Sequence, residues 1–240
     1  MSDEPALAPP STNAFAALRA RPVLWAVLPG LVLVAAGLGV FFSVLDGVQE
    51  KDDLWDLDEP VLDWLVDRRT SAWTSVLAAI TFVTGPTVLP IIVGVACLVL
   101  GLLRHEWWRP LLLAGAMIGS TLLSLAVKGL VGRARPPEDT MFVPGAETTA
   151  SFPSGHTIGT ATFLLVAGYL VCSRNPSVLR IVAWGIATVV GTALVALSRL
   201  YLGYHFLTDV VAAVALAVAV LGVVSVVDRL HTGPPSASAV

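Results

Sequence analysis

Six long apolar segments recur along the chain, and they constrain its fold more than any other feature. They cover about residues 23–45, 72–103, 110–130, 156–172, 178–198 and 206–227. Most of them reach or approach the roughly 20 residues that a helix needs to cross about 30 Å of hydrocarbon. Only 13% of the residues are charged, which is about half the share found in soluble domains. The sequence therefore predicts an all-α bundle of six transmembrane helices.

We expect one membrane domain, residues 15–231, between two disordered tails. Residues 1–14 and 232–240 are rich in Pro, Ser and Ala and have nothing to bury. The first apolar segment follows Arg19 and Arg21 as a signal peptide would. Its apolar core, however, is closer to about 20 residues than to the roughly 7–15 of a signal peptide. We therefore interpret this segment as a membrane anchor.

The charge balance and the cysteines narrow the function. With a net charge of -3 and a pI near 5.7, the chain has no basic stripe that could neutralise successive phosphates, so no nucleic-acid partner is expected. Cys97 and Cys172 both fall inside apolar segments. We interpret them as small core residues rather than as disulfide partners or metal ligands.

The distribution of Lys and Arg predicts the orientation. If alternate connections lie on opposite sides, each side holds seven of these residues. One side has Arg19, Arg21, Arg104, Arg109, Arg174, Arg180 and Arg229, and the other has Lys51, Arg68, Arg69, Lys128, Arg133, Arg135 and Arg199. Several members of the second set belong to a candidate site described below. Without them, the positive-inside rule places both termini in the cytoplasm.

The segment 46–69 carries nine acidic residues. Its apolar residues recur at helical spacing, and its acidic residues occupy another face of the same helix. The apolar residues are Leu54, Leu57, Val61 and Trp64, and the acidic residues are Asp52, Asp56, Asp63 and Asp67. Glu59-Pro60 is a plausible helix start. We expect this segment to lie along the interface as a cap over the bundle, with a gate for lipid headgroups as the alternative.

The second apolar segment, 72–103, is too long for one straight crossing. It contains Gly85, Pro86 and Pro90, which favour either a kinked helix or a division into an interfacial part and a spanning part. Both alternatives are compatible with the sequence.

Three polar clusters lie at the ends of the predicted spans. They are Lys128–Pro136 after span three, Pro153–His156 at the start of span four, and Ser198–Asp209 across the turn between spans five and six. In a six-span chain with both ends inside, these junctions open on the same side. Charged side chains next to apolar spans are costly and indicate a function. We therefore expect the three clusters to meet outside the membrane.

The cations and the glycine predict an anion site. Lys128, Arg135 and Arg199 are permanent cations, and three cations in a partly dehydrated pocket need an anion. The forked donors of arginine match phosphate oxygens, so a phosphoryl group fits better than a single carboxylate. Ser154 and Gly155 open span four, where backbone N–H groups and the positive helix end add to the site.

Two histidines complete the predicted site. His205 and Asp209 are four residues apart, so the carboxylate can hold one ring nitrogen and leave the other facing the phosphate, as in an oriented nucleophile. His156 is adjacent to the anion site and can protonate the departing oxygen and later take a proton from water. His105 and His231 stand alone and are interpreted as interfacial residues.

These clusters resemble the three-part signature of the type 2 phosphatidic acid phosphatase superfamily. The matching positions are Lys128-x6-Arg135-Pro136, Pro153-Ser154-Gly155-His156 and Ser198-Arg199-x5-His205-x3-Asp209. The resemblance implies that Lys128, Arg135, Ser154, Gly155 and Arg199 bind the phosphoryl group. It also implies that His205 becomes phosphorylated with the support of Asp209, that His156 acts on the leaving group, and that no metal or other cofactor takes part.

The resemblance thus implies a metal-independent phosphatase of the plasma (inner) membrane. Its expected substrate is a lipid phosphomonoester or terminal diphosphate, hydrolysed on the outer face. Phosphatidic acid, phosphatidylglycerophosphate and undecaprenyl diphosphate rank together, because the motifs bind phosphate and not the lipid tail. A non-catalytic protein that binds or transports lipid phosphates with the same pocket is the alternative.

Overall fold

A computed structural model describes residues 22–145, 147–174 and 176–233. Over these residues the chain forms eight α-helices, with short 3-10 turns at Asp53–Leu57 and Glu138–Thr140. The helices are α1 Pro22–Glu50, α2 Asp58–Val66, α3 Ser71–Val83, α4 Val88–Arg104, α5 Trp108–Val131, α6 Gly155–Arg174, α7 Val178–Tyr201 and α8 Leu207–Thr232. The predicted tail 1–14, Arg19, Arg21 and residues 234–240 of the second predicted tail lie outside the described residues.

Five of these helices, α1, α5, α6, α7 and α8, are long and apolar enough to cross a membrane. The segment predicted as span two is divided into α3 and α4, which are bent by 48° and together make a sixth candidate span. The break falls at Thr84–Thr87 around Gly85-Pro86, where proline restricts the residue before it and cannot donate to the helix ladder. The predicted all-α membrane bundle is confirmed.

Helix α8 lies at the centre of the bundle. It packs along α1 and against α6, while α6 also contacts α5 and α7. The α1–α8 contact depends on small residues: a Cβ on Gly37 would lie 2.6 Å from the Ala215 carbonyl oxygen, and one on Gly222 would lie 2.5 Å from the Gly30 carbonyl oxygen. Such residues let two membrane helices approach closely. This packing fixes the start of α8, which carries part of the polar cluster.

Helix α2 forms part of the acidic segment. It begins at Asp58, and its buried apolar residues are Leu62 and Leu65, whereas Leu57 and Trp64 are 49% and 55% exposed. Two of the four residues of the predicted apolar face are thus exposed at the surface of the bundle. Asp58, in contrast, is only 2% exposed and accepts hydrogen bonds from residues of other elements.

The helices alternate in direction, so the bundle has two distinct ends. At one end, here the site end, the last turns of α5 and α7 meet the first turns of α6 and α8. At the other, the far end, the first turn of α5 contacts the last turns of α6 and α8, through Arg109 and Trp108 respectively.

Candidate active site

The structure brings the eight residues predicted for the site to the site end. They come from α5, the loop that follows it, and the facing ends of α6, α7 and α8. The set is Lys128, Arg135, Ser154, Gly155, His156, Arg199, His205 and Asp209. The expected meeting of the three sequence clusters at one end of the bundle is therefore observed.

His205 is oriented by Asp209, as the spacing predicted. Their Nδ1 and Oδ2 atoms are 3.1 Å apart, and Oδ2 also accepts from the Phe206 backbone N–H at 2.9 Å and from the Ser151 hydroxyl. A proton held on Nδ1 by the carboxylate leaves a lone pair on Nε2. That Nε2 lies 3.4 Å from a guanidinium nitrogen of Arg135, so it faces the predicted phosphate ligands.

Burial controls the charge of His205, whose ring is 1% exposed. Loss of hydration lowers its pKa to about 4, although the hydrogen bond and the charge of Asp209 act in the opposite direction. The imidazole is therefore neutral at neutral pH, which is the state that a nucleophilic nitrogen needs.

A tight turn between α7 and α8 carries His205. Gly203 has a φ of 75°, and a Cβ there would lie 2.1 Å from the carbonyl oxygen of Thr140. Only glycine fits this position without moving the backbone. The next residue, Tyr204, offers its carbonyl oxygen to Arg135 at 2.8 Å. The turn thereby fixes the arginine and the histidine relative to each other.

Arg135 and Arg199 converge on one carboxylate, that of Glu147. Arg135 Nη2 lies 3.1 Å from Oε2, and Arg199 Nη2 donates to Oε1. Arg199 is further fixed by Thr81, whose hydroxyl accepts from it at 2.7 Å, and by the Tyr204 ring, 4.4 Å from its guanidinium carbon. The two arginines are thus already arranged around an anionic group.

The charges around this anion site favour a negatively charged ligand. Burial by itself would raise the pKa of Glu147, but Arg199 and Arg135, with smaller contributions from His205 and His156, hold it below its usual value. Glu147 is therefore ionised at neutral pH. A site that keeps a carboxylate charged can also accept phosphoryl oxygens.

Lys128 lies at the end of α5 and is 8% exposed. Its ammonium group donates to the Ala150 carbonyl oxygen and, at 3.3 Å, to that of Ser151. It therefore holds the loop that carries Ser151 against His205, whose Nδ1 is 3.3 Å from the Ser151 hydroxyl. An ammonium has three donors, so one remains for a phosphate.

The start of α6 differs in part from the prediction. The Ser154 N–H is not unpaired, because it donates to the Asp209 carbonyl oxygen at 3.0 Å, and Ser154 is fully buried. Gly155 is exposed, and a Cβ there would meet no atom within 4 Å. His156 is half-buried, and its Nε2 would lie 3.5 Å from a Cβ on Gly85. Among these residues Gly155 therefore keeps the backbone accessible.

Comparison with known proteins agrees with this arrangement. Residues 109–231 match the PAP2 superfamily, and this range contains every predicted site residue. The chain belongs to the PAP2 superfamily. Membership confirms the predicted enzyme class, a metal-independent membrane phosphatase.

Three further comparisons cover most of the chain. Phosphatidylglycerophosphatase B of Bacillus subtilis (strain 168) is 29% identical over 188 residues, which are 75% of this chain and 87% of the relative. The crystal structure of a transmembrane PAP2 type phosphatidylglycerolphosphate phosphatase from Bacillus subtilis superposes with a TM-score of 0.68 and 26% identity, and covers 81% of this chain and 96% of that one. Aquifex aeolicus LpxE shares the fold, with a TM-score of 0.52, 19% identity, and coverage of 70% and 94%.

A second layer of charged residues supports the PAP2 site, and the sequence did not reveal it. Arg133 donates to Asp209 Oδ1 at 2.7 Å and to Asp58 Oδ2 at 2.6 Å. Asp58 also accepts from the Thr208 backbone N–H at 2.9 Å and from its hydroxyl at 2.6 Å. The Arg133 guanidinium lies 4.4 Å from the centroid of the Trp55 ring. This network fixes the carboxylate that orients His205.

The sequence offered weak signals for these additional residues. Arg133 stands two positions before Arg135 in the same basic cluster, so its proximity to the site could have been inferred. Asp58 is one of nine acidic residues in its segment, and Glu147 is one of three in its loop. Only the tertiary structure distinguishes the buried members of these sets from the solvated ones.

The donor set of this PAP2 chain does not suggest a metal site. In the described residues, no group of three or more His, Cys, Asp or Glu side chains could hold a metal ion. The carboxylates nearest His205 are each taken by arginine, since Asp209 pairs with Arg133, and Glu147 pairs with Arg135 and Arg199. Positive charge at the site is thus supplied by the protein itself.

Proposed function

We propose that this enzyme hydrolyses a lipid phosphomonoester or terminal diphosphate through a phosphohistidine on His205. One observation carries the proposal: Arg135 and Arg199 hold an anionic carboxylate between them, and Arg135 lies 3.4 Å from the free nitrogen of an oriented, neutral imidazole. A phosphoryl group that replaced this carboxylate would keep both charge-assisted contacts and would lie next to the nucleophile.

Phosphate binding requires Glu147 to leave. Its carboxylate is 23% exposed and lies in the loop between α5 and α6, so it can swing toward solvent while the more buried arginines stay in place. The incoming phosphoryl group would then be bound by Arg135 and Arg199. The third ammonium donor of Lys128 and the accessible Gly155 backbone add to the binding.

The reaction consists of two in-line transfers. The lone pair of His205 Nε2 attacks phosphorus, the P–N bond forms, and the bond from phosphorus to the lipid or diphosphate oxygen breaks. His156 gives its proton to that departing oxygen. Water then attacks the phosphohistidine, His156 takes a proton from it, and the P–N bond breaks to release inorganic phosphate. Arg135 and Arg199 stabilise the charge of both transition states.

The proposed location is the plasma membrane with the site end outside. Four of the seven cations assigned to that side, Lys128, Arg133, Arg135 and Arg199, make contacts within the site. When they are set aside, the excess of Arg residues lies at the far end, which the positive-inside rule assigns to the cytoplasm. A cysteine replacing the exposed Asp139 should react with a membrane-impermeant maleimide in intact cells, whereas Arg104→Cys at the far end should not. The reverse labelling pattern would place the site inside.

The substrate candidates are phosphatidylglycerophosphate, phosphatidic acid and undecaprenyl diphosphate. The name of the Bacillus subtilis relative, phosphatidylglycerophosphatase B, favours the first. The contacts that carry the proposal are to phosphoryl oxygens, which all three share, so these contacts do not distinguish the lipid tails.

Phosphate release by purified protein tests the proposal. The three lipids would be assayed in neutral detergent with a chelator present, and His205→Ala would serve as the control. We expect release from at least one lipid and none from the variant. Binding of lipid phosphate without release would instead support a binding or transport protein, and undiminished release by His205→Ala would contradict the nucleophile assignment.

A further inference from the structure

The far end of the bundle contains a cavity, lined by arginines and apolar residues, that the catalytic proposal does not use. It has a volume of about 630 Å³ and lies between the ends of α4, α5, α6 and α7. Four arginines line it, one from each helix end: Arg104, Arg109, Arg174 and Arg180. Lys128, His156 and Arg199 lie at the opposite ends of three of these helices, α5, α6 and α7, so the cavity is separate from the catalytic site.

Cations outnumber anions in this cavity. Among the described residues that line it, Glu106 is the one carboxylate, and it already accepts from Arg174 at 2.5 Å and from Arg109 at 3.4 Å. Arg104 is exposed and has no ion pair within the described chain. The charge of the cavity is therefore complementary to an anion, and forked guanidinium donors at a membrane surface suit a phosphate in particular.

The rest of the cavity wall is apolar. Cys97, Leu113 and Leu170 are buried in its floor, whereas Leu100 and Val171 are 49% and 43% exposed at its edge. Cys97 precedes Arg104 by seven residues on α4, which is about 10 Å along a helix. The cavity thus combines arginines with apolar walls inside the span, and the exposed Leu100 and Val171 at its edge are positions that acyl chains can contact.

We propose that this cavity binds an anionic phospholipid, with the phosphate among the arginines and the first part of the acyl chains against Leu113 and Leu170. Charge and shape both point to this occupant: a soluble phosphate would leave the apolar walls uncovered, and a zwitterionic lipid would bring a cation toward the arginines. Basic pockets between transmembrane helices bind anionic headgroups in this way.

Native mass spectrometry of the full-length protein in neutral detergent tests the site. The probes are phosphatidylglycerol, phosphatidylcholine with the same acyl chains, and glycerol phosphate as a free headgroup. Phosphatidylglycerol is a phosphodiester, so the phosphatase reaction does not consume it. We expect it to bind at least about tenfold more tightly than either of the other probes.

Variants locate the binding. Arg104→Gln removes a cation without breaking an ion pair, and Arg104→Gln/Arg174→Gln removes two while Glu106 keeps Arg109. We expect the double variant to weaken phosphatidylglycerol binding by about tenfold or more, and the single variant to weaken it less. Arg229→Gln is the matched control, since Arg229 lies near the far end but does not line the cavity.

Three results would overturn the proposal. Unchanged phosphatidylglycerol binding in Arg104→Gln and in the double variant would place the lipid elsewhere, including at the catalytic site. Equal affinity for phosphatidylcholine would remove the role of charge. Binding of glycerol phosphate that is as tight as that of the lipid and is weakened by Arg104→Gln would assign the cavity to a soluble anion.

Discussion

Helix α8 carries one buried carboxylate near each end, and the two have different surroundings. Asp209, at the site end, is 0% exposed and contacts Arg133, His205 and Ser151. Asp228, at the far end, is 4% exposed and accepts from the Trp108 indole at 2.9 Å and from the Tyr169 hydroxyl at 2.9 Å. Both are buried, but of the two only Asp209 contacts an imidazole and a cation among the described residues.

The difference shows that burial alone does not identify a functional acid in a membrane bundle. Neutral donors are enough to satisfy a structural carboxylate, and Asp228 joins α5, α6 and α8 in this way. Asp209 instead forms an ion pair with Arg133 through one oxygen and orients His205 with the other. A carboxylate held ionised between a cation and an imidazole indicates a functional site.

Asp209→Asn, at the site end, should cause the largest loss of activity. The amide cannot fix the His205 tautomer or stabilise the imidazole as its charge develops, and it leaves Arg133 without one of its two carboxylates. We expect kcat to fall by about 10³–10⁴-fold, measured as steady-state phosphate release. A fall of less than tenfold would remove the proposed difference between the two acids.

Arg135→Lys should cause the second-largest loss of activity. The substitution keeps the positive charge but loses the fork that contacts Thr149, Tyr204 and the anion site. Loss of one fixed donor to a transition-state oxygen costs about 10²–10³-fold in kcat, measured with the same assay. Wild-type kinetics in this variant would exclude Arg135 from phosphate binding.

Asp58→Asn tests the supporting layer. The change removes one carboxylate from the buried Arg133 and weakens the hydrogen bonds from Thr208, so we expect the free energy of unfolding to fall by about 2–3 kcal/mol. Unfolding in mixed micelles measures it. Asp56→Asn, an exposed acid of the same segment, is the matched control and should change stability by less than about 0.5 kcal/mol. Equal effects of the two variants would mean that Asp58 does not act through Arg133.

Asp228→Asn should cause the smallest losses of stability and activity. Its partners are neutral and the amide oxygen can still accept one of the two hydrogen bonds, so the expected loss of stability is about 1 kcal/mol. Phosphate release should stay within about twofold of the wild type. A loss of turnover comparable to that of Asp209→Asn would show that both ends of α8 contribute to catalysis.

The sequence predicted the spans because hydrophobic length is a local property. Membrane crossing requires about 20 apolar residues, and such segments are visible without tertiary information. The sequence did not decide whether span two is kinked or divided, because Gly85 and Pro86 permit both. The burial of Asp58 in α2 was not predicted, because it depends on the ion pair with Arg133, a contact between residues 75 positions apart.

The site was predictable to the extent that its residues differ from their surroundings. Lys128, Arg135 and Arg199 stand out because cations next to apolar spans are rare, and His205 with Asp209 because the spacing places both on one face. Glu147 did not stand out, since a loop carboxylate is ordinary in sequence. Its role depends on two arginines from different elements that meet only in the folded chain.

The phosphorylated residue is the most direct test of the proposed chemistry. Purified enzyme would be mixed with a lipid substrate carrying ³²P in the terminal phosphate, quenched in base within milliseconds, and analysed by peptide mapping. We predict label on the peptide that contains His205, stable in base and lost in acid, and absent from His205→Ala. Turnover by the wild type with label on another residue, or with no labelled enzyme under any quench condition, would contradict the phosphohistidine proposal.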